Sequence, residues 1–216
     1  MENRMGISAA QVKELREKTG AGMMDCKAAL NETAGDLEKA VDHLRKAGIL
    51  KAAKRSERAT GQGLIASYIH AGSKLAVLVE INCETDFVAK TDLFKAFSKD
   101  IAMHVAAQNP LVVLREELSQ DALERERSIY REQALASGKP ENIVDKIVDG
   151  KIGKYYSEVC LLEQPFVKDT DITVGDLLTQ TIATLGENIR IARFVRLELG
   201  DTAPEGQEEA SGACCV

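Results

Sequence analysis

The spacing of apolar positions changes repeatedly along this chain, and each change marks a boundary. From Ile7 to Ile49 apolar residues recur every three or four positions, the period of helices packed on one side. Ser8 with Gln11 three residues later has the form of a capping box, Val12 and Leu15 open the buried stripe, and Gly20 stands where a helix stops. GAGMMDCKAALNETAG predicts a second short helix. Asp36 predicts the cap of a third, with Leu37, Ala40, Val41 and Leu44 on its inner side and Gly48 just past its end. Residues 1–50 therefore read as a three-helix module near the lower size limit for a self-supporting core. A unit that small suits protein binding better than catalysis.

From Leu64 the period becomes that of strands. LIASYIH, a tight AGSK connection and LAVLVEINCE predict an antiparallel hairpin. TDLFKAFSKDIAMHVAAQNP then places Phe94, Phe97, Ile101 and Val105 on one side of a core-facing helix stopped by Asn109-Pro110. A more charged helix is expected from about Asp121 to Ser137, and PENIVDKIVDGKIGKYYSEV predicts another, weakened by Gly150 and Gly153. LLEQPFVKD reads as irregular. Thr173 with Asp176 predicts the cap of a helix through Leu185, and NIRIARFVRLEL alternates Ile189, Ile191, Val195, Leu197 and Leu199 as a last strand. That strand must return to the hairpin, so the fold class is α+β: the three-helix module, a basic linker over 51–63, and a core over 64–200 with helices packed on an antiparallel sheet. DTAPEGQEEASGACCV has no apolar period, and 201–216 is expected to be a disordered acidic tail.

Charge narrows the partners. The 216 residues carry a net charge of -6, which disfavours a general nucleic-acid binder, and no direct specific nucleic-acid binding is expected. Against that balance, Arg45, Lys46, Lys51, Lys54, Arg55 and Arg58 stand in one stretch with only Glu57 opposing them. This asymmetry reads either as a solvated helical linker or as a contact to an acidic partner or RNA. No run of about 18 apolar residues occurs and the first residues lack the apolar core of a secretory signal, so no membrane association and a cytoplasmic location are expected. Cys26, Cys83 and Cys160 read as small buried residues, and neither a disulfide framework nor a zinc site is expected. Cys214 and Cys215 do not form a prenylation box, which needs cysteine fourth from the end.

The signatures of phosphate loops, dinucleotide folds, zincins and nucleophile elbows are absent. Glu84 and Asp86 stand two apart at a strand end, a spacing more typical of solvated carboxylates than of a catalytic pair. Neither an enzyme nor a cofactor or metal site is expected. Two non-catalytic features stand out instead. GAGMMDC sets two flexible Met side chains after a turn, and TDFVAK sets an aromatic between strand and helix in a chain with five Phe, four Tyr and no Trp.

At these stretches the sequence resembles the elongation factor Ts family, the nucleotide exchange factors of translation elongation factor Tu. ELREKTGAGMMDCKAAL and NCETDFVAK are similar to its two signatures, and IAMHVAAQNP, ASGKP, LLEQPFVKD and VGDLL to its later segments. The likeness spans about residues 7–199 and implies a ubiquitin-associated-like N-terminal module before an α+β core. It implies that Thr85, Asp86, Phe87 and Val88 enter the partner near its Mg²⁺, with Phe87 as a wedge and Asp86 as the charge that disturbs the ion. The alternative for Phe87 is a place in the protein's own core. The resemblance also assigns Lys13, Arg16, Met23 and Met24 to a contact with the partner's nucleotide-binding domain, although either Met can instead fill the module's core.

His104 aligns with a family histidine that approaches the partner's phosphate-loop region, while its position beside Phe97 and Ile101 equally suits a satisfied core histidine. Longer members carry a duplicated core; this chain has one, which implies the short bacterial or plastid form, cytoplasmic or stromal, and a homodimer as one way to supply the missing half. The alternative function is a protein-binding adaptor that uses the three-helix module without exchange activity.

Overall fold

The computed structural model describes residues 7–201, so the tail from 202 onward, with Cys214 and Cys215, lies outside the described residues. Helix α1, Ala9–Thr19, begins at the Ser8–Gln11 capping box and ends at Gly20, whose φ of 66° lies in the left-handed region open to glycine. Helix α2 is Met23–Glu32, and α3, Leu37–Ala53, starts at Asp36, whose side chain accepts from the Lys39 N–H. Val12, Leu15, Cys26, Ala29, Leu30 and Ala40 form the module's buried core.

Gly48 does not end α3. The helix continues through it to Ala53, taking up the start of the basic segment. The reason is tertiary: a Cβ on Gly48 would stand 3.4 Å from the Cβ of Ala183 in α8, Val174–Leu185, so two small residues let the helices approach closely. The ion pair Arg45–Asp176, at 3.4 Å, spans the same helix pair.

Strands β1, Gln62–Ile69, β2, Leu75–Cys83, and β5, Ile189–Glu198, form an antiparallel sheet in the order β1-β2-β5. Val77, Val79, Ile81 and Cys83 point inward. They meet Phe94, Phe97, Ile101 and Val105 of α5, Asp92–Gln108, all of which are buried. Gly63 enters the sheet at φ 150°, where a Cβ would lie 2.2 Å from the Ile81 carbonyl oxygen, so only glycine fits that crossing.

The last strand departs from simple alternation. Glu80 pairs with Arg193 and Ile81 with Ile191, which leaves Ala192 as a bulge. One extra residue reverses the faces: Ile189 and Ile191 are buried, while Val195 and Leu197 point to the outer face with Ile65, Ile69 and Leu78. The expected last strand is present, and the bulge divides its alternating apolar residues between the two faces.

Helices α6, Gln120–Ala136, and α7, Glu141–Val159, pack on each other around Ala134, Val144, Val148 and Ile152. This hairpin has a cluster of its own, and Arg127–Asp149 and Arg131–Asp145 pair across it. Gly150 and Gly153 leave α7 unbroken; a Cβ at either would meet nothing within 4 Å. LLEQPFVKD, expected to be irregular, contains a 3-10 turn at Leu161–Glu163 and strand β3, Pro165–Phe166, which pairs with β4, Asp169–Thr173. The Thr173–Asp176 capping box that starts α8 agrees with expectation.

The Gly48 contact generates a test. At 3.4 Å an added methyl fits in ordinary contact, and alanine is better than glycine inside a helix by about 0.8–1.0 kcal/mol. Gly48→Ala should therefore raise unfolding stability in urea, whereas Gly48→Leu should lower it by forcing α3 off α8. A loss of stability in Gly48→Ala would contradict this packing.

Candidate partner-binding site

The site is built where β2 runs out. Four residues, Asp86–Ala89, form the single-turn helix α4 before Thr91 caps α5. Two helix starts follow so closely that the first has no length in which to build an apolar face. Ala89 turns inward and is buried, Val88 packs partly on the core, and Phe87 points away. At 79% exposure Phe87 is the most exposed large apolar side chain among the described residues. It is outside the protein's own core.

Backbone satisfaction explains the shape. Thr85, extended at φ -129° and ψ 155°, is the N-cap of α4, and its hydroxyl accepts from the Val88 N–H at 3.5 Å. The same hydroxyl donates to Glu187 Oε1 at 2.6 Å, and the Thr85 N–H donates to Glu187 Oε2 at 3.0 Å. The Cys83 thiol donates to the Thr85 carbonyl at 3.1 Å, and burial raises the pKa of that thiol. Next to Glu187, the buried Asn188 donates its N–H to Glu84 Oε1 at 2.6 Å and its amide to the carbonyls of Ser56 and Arg58, at 3.2 and 2.8 Å. The turn after α8 thus ties the site to both ends of the sheet segment.

Asp86 is half-exposed and paired with Lys90 at 2.6 Å. The hydrogen bond from Lys90 is the main reason its carboxyl titrates below the ordinary range, so it stays ionised at neutral pH. The site therefore displays a bare aromatic ring beside a fixed negative charge.

In the small module, Met23 and Met24 are 60% and 75% exposed, which leaves the core of that unit to Leu15, Cys26 and Leu30. Lys13 and Arg16 are exposed on α1 three positions apart, close enough to share one side of the helix. The basic segment is partly occupied within the chain: Lys51 pairs with Asp25 at 3.0 Å, Arg58 with Glu84 at 3.5 Å, and Arg45 with Asp176. These contacts fasten α3 and the strand that follows it to their neighbours.

His104 stands apart. Its ring is fully buried and stacked on Phe166, with centroids 6.0 Å apart. Nδ1 accepts from the Val167 N–H at 3.2 Å, which leaves the proton on Nε2 to be donated to Gln164 Oε1 at 2.9 Å. Both nitrogens are satisfied by the neutral form, and burial lowers the pKa. Of the two readings the sequence leaves open, this burial agrees with the core histidine: His104 holds the β3 segment on α5.

No group of three or more His, Cys, Asp or Glu among the described residues is placed to hold a metal ion. Sequence spacing alone does not single out Glu187 and Asn188. The only local sign was an acidic-amide pair after the helix-stopping Gly186, and their partners lie about a hundred positions away.

The geometry defines a class first: a two-part α+β protein whose distinguishing side chains are displayed on its surface rather than gathered in a pocket. The comparisons give the family. Residues 10–201 match the profile described as Elongation factor TS. The chain is 61% identical over 197 residues to Elongation factor Ts of Geotalea uraniireducens (strain Rf4), covering 91% of each. It is 61% identical over 195 residues to the protein of the same name from Desulfosudis oleivorans, covering 90% of this chain and 98% of that one. Against Carboxydothermus hydrogenoformans the identity is 57% over 203 residues, 94% of each. The chain belongs to the elongation factor Ts family.

The buried imidazole makes stability depend on pH in a stated direction. Above about pH 6.5 the ring is neutral in both folded and unfolded chains. As pH falls through that value the unfolded chain takes a proton that the folded one refuses, so stability falls on acidification. Urea denaturation of the native chain and His104→Gln, compared from pH 8 to pH 5, should show a shallower decline in the variant. Parallel declines would contradict this account.

Proposed function

We propose that this chain is the guanine-nucleotide exchange factor of elongation factor Tu and works by entering the partner with the Thr85–Val88 turn. The observation that carries the reading is the 79% exposure of Phe87 on an otherwise well-anchored turn. An aromatic left in water by its own fold gains about 1.5–3 kcal/mol when another surface buries it. A GTPase grips GDP through its phosphate loop and through Mg²⁺ bridging phosphate oxygens. Phe87 pushed between partner helices, with Asp86 set beside the ion, loosens both holds without breaking a covalent bond. Lys90 pairs with the Asp86 carboxylate in the free factor, and docking beside the ion exchanges that pair for the partner's surroundings.

The small module serves as a second contact, ubiquitin-associated-like in its three short helices. Met23 and Met24 offer flexible apolar chains that adapt to an irregular surface, with Lys13 and Arg16 nearby. His104 acts from inside by fixing β3 on α5. The factor brings no cofactor and is not itself an enzyme; the ion it acts on belongs to the partner. No helix among the described residues is long and apolar enough to cross a membrane, which suits a cytoplasmic role. With three of the six basic side chains already paired within the chain, a nucleic-acid role is not part of this reading.

Release of fluorescent GDP from elongation factor Tu tests the wedge. Phe87→Ala should melt with the native chain, because the ring has little native packing to lose, while exchange falls about tenfold to a hundredfold, the equivalent of about 1.4–2.8 kcal/mol. A core residue would instead lower stability by about 3–5 kcal/mol on the same change. Unchanged exchange by a folded Phe87→Ala protein would overturn the reading.

The outer sheet face supports a homodimer as the second partnership. Ile65, Ile69, Leu78, Val195 and Leu197 leave an apolar surface on three adjacent strands, with the Glu80–Arg193 pair, at 2.8 Å, at its edge. A second copy presents the same face, as a two-fold interface requires. Light scattering should report a dimer for the native chain and a monomer for Leu78→Glu; equal masses would remove this interface.

A further inference from the structure

We propose that Glu187 is a positioning residue for nucleotide exchange: its carboxylate accepts hydrogen bonds from the amide and hydroxyl of Thr85 and so holds Phe87 at the angle the partner requires. This rests on the reading of Thr85–Val88 as the exchange turn.

The geometry leaves that task to Glu187. Helix α4 is a single turn with one buried residue, Ala89, and so short a helix has no stability of its own. The pairing of β2 ends at Cys83, so the Thr85 N–H has no strand partner and depends on the carboxylate 3.0 Å away. The hydroxyl of Thr85 owns one proton. Giving it to Glu187 at 2.6 Å turns a lone pair toward the Val88 N–H and makes Thr85 the cap of the turn that bears Phe87.

Two donors converge on Glu187, and a carboxylate accepts through both oxygens where an amide would set its NH₂ against one of them. Glu187 is itself held in place because Asn188 is fastened to Glu84, Ser56 and Arg58. Its role is positional: its hydrogen bonds to the exchange turn are both to Thr85, two residues before the ring.

The test uses Glu187→Gln, Thr85→Val and their double variant in the full chain. Melting temperature is measured alongside the saturating rate of fluorescent-GDP release from elongation factor Tu. Each is repeated with Phe87→Trp, which gives one indole reporter in a chain that has no Trp. Glu187→Gln should lower the saturating rate about tenfold, the loss expected for a charge-assisted hydrogen bond, with melting within a few degrees of native. The double variant should be no worse than the poorer single, and the indole at position 87 should depolarise faster when Glu187 is replaced.

Additive defects, a rate loss matched by a stability loss, or an indole equally restrained in both backgrounds would overturn the proposal. A native chain that fails to release GDP sinks the exchange reading, and the indole measurement then still decides whether Glu187 restrains the turn. A native chain that works and a Glu187→Gln chain that works as well sink the positioning role alone.

Discussion

The proposed exchange turn depends on keeping one aromatic ring, Phe87, in water. Folding ordinarily removes such a ring from solvent, because burying it is favourable by a few kcal/mol. Here the turn that bears Phe87 is too short to cover it, and hydrogen bonds from Thr85 to a carboxylate about a hundred residues away fix the turn's start. The sheet supports this indirectly. Its inner face, packed on α5 and α8, brings the end of β2 beside the turn after α8, where Glu187 and Asn188 wait.

Helix α8 also links the two halves of the molecule. Near its start Asp176 pairs with Arg45, farther along Ala183 meets Gly48, and just past its end come Glu187 and Asn188. One short helix thus touches the small module and also leads into the anchor of the exposed turn. Both surfaces proposed to meet the partner are referred to the same element, so their relative placement is set before docking and little ordering remains to be paid for then.

Local chemistry explains what the sequence disclosed. Capping boxes at Ser8 and Thr173, the stop at Gly20 and the buried stripe of α5 are short-range signals, and they appear where the spacing placed them. TDFVAK was visible because an aromatic at a strand-to-helix junction has no local structural use. What escaped was tertiary in origin. Gly48 reads as a stop until Ala183 is packed against it. The alternation from Ile189 to Leu199 marks a strand but not the bulge at Ala192, which puts Val195 and Leu197 on the outer face. His104 was ambiguous because its socket is made by Gln164 and Val167, some sixty positions away. Glu187 was invisible for the same reason.

Linkage gives the most direct test of exchange by distortion. Any factor by which the protein weakens GDP on elongation factor Tu must equal the factor by which GDP weakens the protein. Titration calorimetry of this chain against nucleotide-free and GDP-loaded elongation factor Tu, in Mg²⁺, measures that factor. The account predicts much tighter binding to the nucleotide-free partner, with the difference narrowing when Phe87 is replaced by Ala. Equal affinity for the two forms would contradict it, because a protein that binds both alike cannot drive one into the other.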